Sequence, residues 1–336
     1  MSKFYPPYKK EVFARSIEER KNMTFKASEE IFSLVPPFPR EITLDINNRC
    51  NHKCYFCANP KIRKYDALNL ELAFKLMKEA KENGSTDLAL QATGEPFMDK
   101  RLPEFIKEGK RLKYDYVYIN TNGALANAER AQPVIDAGCD SIKFSINAHN
   151  KEDFKSVHGY DDFDKVISNL KWIFNYRNEN KIKMGIYVSS VTNSKTEITK
   201  DVKNTITAHC DNFSVREVSN QGGSMMELND TEEIVNGNIL GSLEKNEYTS
   251  RCVYPFNWVV VNPFGNVIPC TADFHNMLEI GDAKSNNLID IWKSDKFKYL
   301  RKKHLTDDYE GIFCDKCLNN KICKSEKLTN AFEKKL

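Results

Sequence analysis

The stretch Glu41-Ile42-Thr43-Leu44-Asp45-Ile46 alternates apolar and polar residues and is followed, after Asn47 and Asn48, by Arg49-Cys50-Asn51-His52-Lys53-Cys54-Tyr55-Phe56-Cys57. The first part predicts a strand and the second a loop with cysteines spaced C-x3-C-x2-C at its C-terminal end. Soft thiolate ligands suit iron-sulfur chemistry. Three of them hold three irons of a four-iron cluster and leave the fourth without a protein ligand. A closed structural zinc site wants four ligands, and His52 lies too near the cysteines in sequence to complete a finger of the usual spacing.

Working outward, strand and helix signals alternate. Leu72, Ala73, Leu76, Met77 and Ala80 form a helical stripe with Gly84 as its stop. Residues 88–92 then read as a strand, 102–112 as a helix, 116–119 as a strand and 126–137 as a helix. A strand over 142–146, a helix over 166–176, a strand over 184–188, a helix over 200–208 and a strand over 213–218 follow. This alternation predicts an α/β fold with a parallel sheet and crossover helices. About six such units between residues 41 and 218 are too few for a closed eight-unit barrel.

A second cysteine set begins where the alternation stops. Cys252 precedes a hairpin-like run from Trp258 to Ile268 that turns at Asn262-Pro263-Phe264-Gly265; Cys270, Cys314, Cys317 and Cys323 follow. Leu288, Ile289, Trp292, Phe297, Tyr299 and Leu300 form a helical stripe between them. Ten cysteines in a chain expected to be cytoplasmic, clustered rather than evenly spread, favour metal ligation over disulfides. Cys139 and Cys210 stand apart and read as small buried residues. Lys and Arg number 50 against 47 Asp and Glu, a net charge of +3, which gives no electrostatic footprint for nucleic acid or an acidic membrane. No run is apolar and long enough to span a bilayer, and the N-terminus lacks the apolar core of a signal peptide.

The C-x3-C-x2-C loop with Phe56 before its last cysteine resembles the signature of the radical S-adenosylmethionine enzymes. Thr93-Gly94-Glu95-Pro96 is similar to that family's G-G-E-P motif, with threonine in place of the first glycine; Thr121-Asn122-Gly123 and Ser145-Ile146-Asn147 fall at strand ends where the family surrounds its cofactor. The resemblance implies a partial (β/α)6 barrel with Cys50, Cys54 and Cys57 as cluster ligands. Phe56, Gly94, Glu95, Pro96, Asn122, Ser145 and Asn147 would lie around S-adenosylmethionine. It divides the chain into a lead-in (1–40), the barrel (41–220), a linker (221–251) and a C-terminal domain (252–336).

That last block, C-x12-G-x4-C followed by C-x2-C-x5-C, resembles the SPASM extension and its shorter Twitch relative. It matches the first five cysteines of the seven-cysteine SPASM pattern, and Lys327 stands where the next would fall. Five cysteines suffice for one auxiliary 4Fe-4S cluster, with Cys252, Cys270, Cys314 and Cys317 as the leading ligand set and Cys323 either replacing one of them or spare. A zinc ribbon on the same four cysteines is the alternative. A Twitch-type auxiliary cluster implies a two-electron oxidation: hydrogen is removed from an alcohol carbon of a sugar, aminocyclitol or polyol, and the cluster accepts the remaining electron. Arg216 and Glu217, on the last core strand, are the candidate catalytic pair, Glu217 being the easier proton acceptor; a solvent-facing residue beside a structural ion pair is the other reading. Gln221-Gly222-Gly223-Ser224 reads as a loop that either covers substrate or only links. A flavodoxin or ferredoxin-type protein would deliver electrons. A peptide maturase, an epimerase or dehydratase, and a zinc scaffold without catalysis remain alternatives; about forty residues before the first strand are few for a peptide-recognition domain.

Overall fold

The computed structural model describes residues 32–61, 64–148, 150–192, 200–217, 252–318 and 323–335. The alternating half builds β1 (Glu41–Leu44), α1 (Leu70–Glu82), β2 (Asp87–Ala89), α2 (Leu102–Arg111), β3 (Tyr116–Thr121), α3 (Ala128–Asp136) and β4 (Ser141–Ser145). It continues through α4 (Lys151–His158), α5 (Phe163–Glu179), β5 (Gly185–Thr192), α6 (Lys200–Thr207) and β6 (Asn212–Glu217). All six strands pair in parallel in chain order, so each crossover helix packs back on the sheet. The expected linker 221–251, with its glycine-rich loop, lies outside the described residues.

The helices form where the stripe and the caps agree. In α1 the buried residues are Ala73, Leu76, Met77 and Ala80, Asn69 caps the start by accepting from the Leu72 N–H, and Gly84 follows the end at φ +103°. The strand after it is shorter than its apolar run: its register ends at Ala89, Leu90 N still donates to Tyr118 O, and beyond it the chain turns into the motif that meets the cysteine loop. The helix α4 was not anticipated. Its signals are compressed into eight residues: Asn150 caps it from outside, Phe154, Val157 and His158 make the buried stripe, and Gly159 ends it at φ +77°.

The C-terminal half supplies α7 (Tyr254–Asn257), β7 (Trp258–Val261), β8 (Asn266–Ile268), β9 (Gly281–Asp282), α8 (Leu288–Trp292), α9 (Asp295–Leu305), α10 (Phe313–Leu318) and α11 (Leu328–Glu333). The expected hairpin is β7 and β8, antiparallel, with Gly265 at φ +83° in the turn. The stripe from Leu288 to Leu300 is cut in two where Ser294 caps α9 by accepting from the Phe297 N–H. β7 pairs in parallel with β1 from Glu41↔Trp258 to Leu44↔Val261. One nine-stranded sheet therefore runs β6-β5-β4-β3-β2-β1-β7-β8-β9, open because its outer strands do not pair with each other.

The two faces of this sheet differ. Ile42, Leu44, Leu88, Val117, Ile119, Ile142, Phe144, Ile186 and Val188 share one buried core with the helices. The opposite face carries Glu41, Thr43, Tyr116, Tyr118, Ser141, Tyr187 and Ser189, tied by Tyr118 Oη donating to Glu41, by a hydrogen bond shared between the Tyr116 and Ser141 hydroxyls at 2.6 Å and by Trp258 Nε1 donating to Thr43 Oγ1. The segment before β1 is fastened to the C-terminal half. Arg301 is fully buried between the Trp292 and Phe297 rings and donates to the carbonyls of Leu34, Pro255 and Trp292; Trp292 Nε1 donates to Pro36 O. Burial lowers the Arg301 pKa to about 9.

Candidate active site and auxiliary cysteine cavity

The cysteine loop leaves β1 at its C-terminal edge, where binding sites collect in parallel α/β sheets, and three neighbours hold it in place. The first is the stretch Thr93-Gly94-Glu95: Glu95 N donates to Arg49 O, Asn47 Nδ2 donates to Glu95 O, and a Cβ on Gly94 would stand 2.2 Å from Asn47 O and 2.7 Å from Arg49 O. Only glycine permits that approach. Thr93, the departure from two glycines, has a role of its own, since its Oγ1 and backbone N–H both donate to the buried Asp45 carboxylate. Burial raises the Asp45 pKa to about 6, and the bonds from Thr93, Ala92 and Gly94 oppose the rise.

The second neighbour is the end of β3. The Glu95 carboxylate accepts from Thr121 Oγ1 and from the backbone N–H groups of Asn122 and Phe97, so it clamps two strand ends together; burial raises its pKa to about 7. Asn122 Nδ2 donates to Asn51 Oδ1 and lies 3.8 Å from Cys50 Sγ. Asn59 Nδ2 donates to both Asn48 O and Thr93 O and closes the far side of the loop.

The third neighbour is the C-terminus of α4, whose last carbonyls have no partner within the helix. Lys53 N donates to His158 O and Tyr55 N to Val157 O. His158 Nδ1 stands 3.4 Å from Cys54 Sγ and 3.2 Å from His52 Nδ1, and His52 Nε2 meets Asp162. Burial, with His52 next to it, lowers the His158 pKa to about 3, so the ring is neutral. Sequence reasoning missed this histidine because it missed α4. The Asn150 cap and the Phe154/Val157/His158 stripe were the available signal.

Cys50, Cys54 and Cys57 are half-buried and near enough that Cys57 acts electrostatically on both Cys50 and Cys54. Burial drives the Cys50 thiol up to about 12, with Glu95 and Cys57 adding to it, pushes Cys54 well above its ordinary value and raises Cys57 to about 11. Three thiols of one loop that raise one another's pKa on top of burial are donors that an iron cluster would take as thiolates, so the donor set fits the group. Phe56 packs edge-on against Tyr55, and with Tyr55, Val191 and Phe274 it surrounds the buried Ala58. Ser145 pairs with Ser189 at the end of β4; Asn147 accepts from Val191 N through Oδ1 and donates its N–H to His158 Nε2. Arg216 and Glu217 pair with Val191 and Thr192 at the end of β6, and their side chains lie outside the described residues.

Four of the five C-terminal cysteines line one cavity of about 30 Å³. Cys252, Cys270, Cys314 and Cys317 face it together with Pro269, Leu278 and Phe313. Burial raises the Cys252 thiol to about 12 and Cys270 and Cys314 further, each pushed also by its neighbouring thiols. A set of four thiols, three of them buried, fits a group that takes four thiolates. His304 Nε2 lies 3.4 Å from Cys314 Sγ. Cys323 lies away from the cavity with Sγ 3.6 Å from Asp315 Oδ2, and Cys139 donates to Ser141 O. Asp273, three residues after Cys270, accepts from the N–H groups of Met277 and Leu278, and burial raises its pKa to about 6.

Residues 44–199 match the Radical SAM superfamily and residues 252–318 the SPASM iron-sulfur cluster-binding domain. With the parallel open sheet and the three-cysteine loop at its edge, this chain carries a radical SAM domain followed by a C-terminal iron-sulfur cluster-binding domain. The cofactors of these two domains are S-adenosylmethionine and 4Fe-4S clusters. The chain is 24% identical to the S-adenosyl-L-methionine-dependent 2-deoxy-scyllo-inosamine dehydrogenase of Niallia circulans over 85% of this chain and 95% of that one. A probable GTP 3',8-cyclase of Saccharolobus solfataricus is 30% identical over 39% of this chain and 42% of its own length. Among solved structures, BtrN with AdoMet and 2-DOIA superposes with TM-score 0.55 at 19% identity, covering 86% of this chain and 96% of that one. Streptococcus suis SuiB bound to its precursor peptide SuiA superposes with TM-score 0.63 at 16% identity, covering 84% and 71%. These likenesses concern the fold. No helix among the described residues is long and apolar enough to cross a membrane.

Proposed function

We propose that this chain is a radical SAM dehydrogenase that oxidises an alcohol carbon of a small polar molecule of the sugar, aminocyclitol or polyol class. The observation that carries the reading is the pair of dissimilar cysteine sites on one sheet: a three-thiol loop at the strand edge and a four-thiol cavity whose Cys270–Phe274 turn reaches that loop through Phe274 against Ala58. When bound, the loop cluster and S-adenosylmethionine supply a hydrogen-abstracting 5'-deoxyadenosyl radical, and a cluster with all four thiolates supplies an electron acceptor. The polar face of the sheet, with its tyrosines and serines, suits a hydroxylated substrate.

Within this reading Cys50, Cys54 and Cys57 hold the first cluster and Cys252, Cys270, Cys314 and Cys317 the second. Gly94, Glu95, Pro96 and Asn122 shape the cofactor's berth with Phe56, Ser145 and Asn147. Glu217 takes the hydroxyl proton and Arg216 orients the substrate. The balance is one hydrogen atom to the cofactor fragment, one proton to the carboxylate and one electron to the acceptor, leaving a ketone. A flavodoxin or ferredoxin-type donor supplies the initiating electron in the cytoplasm, with neither nucleic acid nor membrane as partner.

The test is a panel of polyols, each deuterated at the reacting carbon, incubated with reduced protein and S-adenosylmethionine. Deuterium in 5'-deoxyadenosine with one equivalent of ketone is expected. A product at the substrate's own oxidation level, as from an epimerase or dehydratase, would sink the dehydrogenase reading, and turnover confined to peptides would replace the substrate class.

A further inference from the structure

The buried imidazole of His158 has surroundings that fix its tautomer. Its Nε2 faces the backbone N–H of Asn147 at 3.3 Å. A backbone N–H only donates, so Nε2 carries the lone pair and the proton of the neutral ring sits on Nδ1. Nδ1 lies 3.4 Å from Cys54 Sγ and 3.2 Å from His52 Nδ1. On the far side, His52 Nε2 faces the Asp162 carboxylate at 3.2 Å, which places the His52 proton on Nε2 and leaves its Nδ1 an acceptor. Each ring nitrogen then has one role. A single N–H, that of His158 Nδ1, is directed at the Cys54 sulfur and the His52 lone pair.

The same tautomer decides against a competing use of these groups. The ligand atoms of His52, Cys54 and His158 lie within 4.8 Å of one another, close enough for one metal ion. Ligation through His158 Nδ1 would move its proton to Nε2 and set two donors against each other across the 3.3 Å to Asn147 N. His158 is built as a donor to the sulfur and not as a ligand.

We propose that His158 is a positioning residue of the cysteine loop, donating its Nδ1 proton to the Cys54 sulfur and thereby raising the reduction potential of the cluster that loop holds. The proposal rests on the reading that Cys50, Cys54 and Cys57 hold a 4Fe-4S cluster. An N–H aimed at a ligand sulfur stabilises the more negative reduced state more than the oxidised one, and such bonds are a recognised lever on cluster potentials. The donor cannot drift from its acceptor, because the carbonyls of Val157 and His158 receive the N–H groups of Tyr55 and Lys53 on the same loop. Gly159 completes the fit: a Cβ there would meet Lys53 Cβ and O at 3.1 Å.

The test is an EPR-monitored redox titration of anaerobically reconstituted full-length protein, with the loop signal identified by its change when S-adenosylmethionine is added. His158→Leu, which removes the donor, is expected to lower the one-electron reduction constant about tenfold, ~59 mV. His158→Asn, whose amide nitrogen stands where Nδ1 stood, is expected to restore most of that loss. An unchanged potential in His158→Leu overturns the proposal. Pulsed EPR of the unsubstituted protein labelled with 15N-histidine gives a second measurement that needs no variant. A weakly coupled imidazole nitrogen on the reduced loop signal is expected, and its absence overturns the proposal even where His158→Leu fails to retain iron. No signal responsive to S-adenosylmethionine in the unsubstituted protein would instead refute the underlying cluster reading.

Discussion

The loop after β1 and the cavity behind β8 hold their cysteines in opposite ways. The loop thiols are half-exposed, three in number, and flanked by the polar groups of Glu95 and Asn122. The cavity thiols number four, three of them buried, and share their walls with Pro269, Leu278 and Phe313. Yet both are braced by the same two devices. Each has one buried carboxyl group with a pKa near 6 tying its chain turns together, Asp45 in one and Asp273 in the other, and each has one buried histidine against one cysteine sulfur. The histidines differ in how they are held. His158 is pinned on both nitrogens, whereas His304 Nδ1 has no hydrogen-bond partner among the described residues. An open site beside a polar edge suits binding and bond cleavage, and a closed site with every ligand supplied suits electron transfer.

The largest expected effect separates the two sites outright. Replacing Cys50, Cys54 and Cys57 together by alanine should abolish 5'-deoxyadenosine formation and reduce iron from about eight to about four per chain; residual cofactor cleavage would break the distinction. Cys252→Ala should do the converse, keeping cofactor cleavage while ketone formation falls to background. Cys323→Ser should leave the iron content unchanged, and a loss of auxiliary iron would return Cys323 to the ligand set. Zinc in place of half the iron would make the cavity a structural ribbon.

Smaller effects test the braces. Gly94→Ala forces a methyl group into the carbonyls of Asn47 and Arg49 and should cost about 3 kcal/mol in denaturant unfolding. For Asp45 the sign follows from its direction: burial raises the folded pKa from 3.8 to about 6, so the native state holds the proton more tightly than the unfolded chain. Its contribution is fully present below pH about 4 and is lost as pH rises through about 6, a change on the order of 3 kcal/mol. Asp45→Asn should flatten unfolding stability across that window, and Asp273→Asn should do the same for the other site; an unaltered slope in both would show that these carboxyls are not the titrating groups. Smallest is Thr93→Gly, which should cost about 1.5 kcal/mol by removing one bond to Asp45, with a further rise in the Asp45 pKa measurable by NMR titration.

Much of this was legible in the order of residues. The helix stripe at Leu72 to Ala80 and the strand runs at 116–119 and 142–146 are local patterns, and local patterns set element type because backbone hydrogen bonding and amphipathic burial act over a few residues. The cysteine spacings also needed no fold, since three thiols within eight residues must share a site wherever the chain carries them. Tertiary structure decided the rest through contacts that no local pattern encodes. Cys54 meets a histidine 104 residues away on a helix too short to show a strong period. β7 joins β1 across more than 200 residues because both offer a four-residue strand, one alternating and one continuously apolar, while the sequence between them breaks the αβ rhythm that would have announced the pairing. Which four of five C-terminal cysteines face one cavity depends on how α10 and the turn after β8 pack around Leu278 and Phe313, and Cys323, though spaced like a ligand, is left beside Asp315. Arg301 looks like any charged residue of an exposed helix in the sequence, and only the fold shows it buried between two aromatic rings and holding the carbonyl of Leu34.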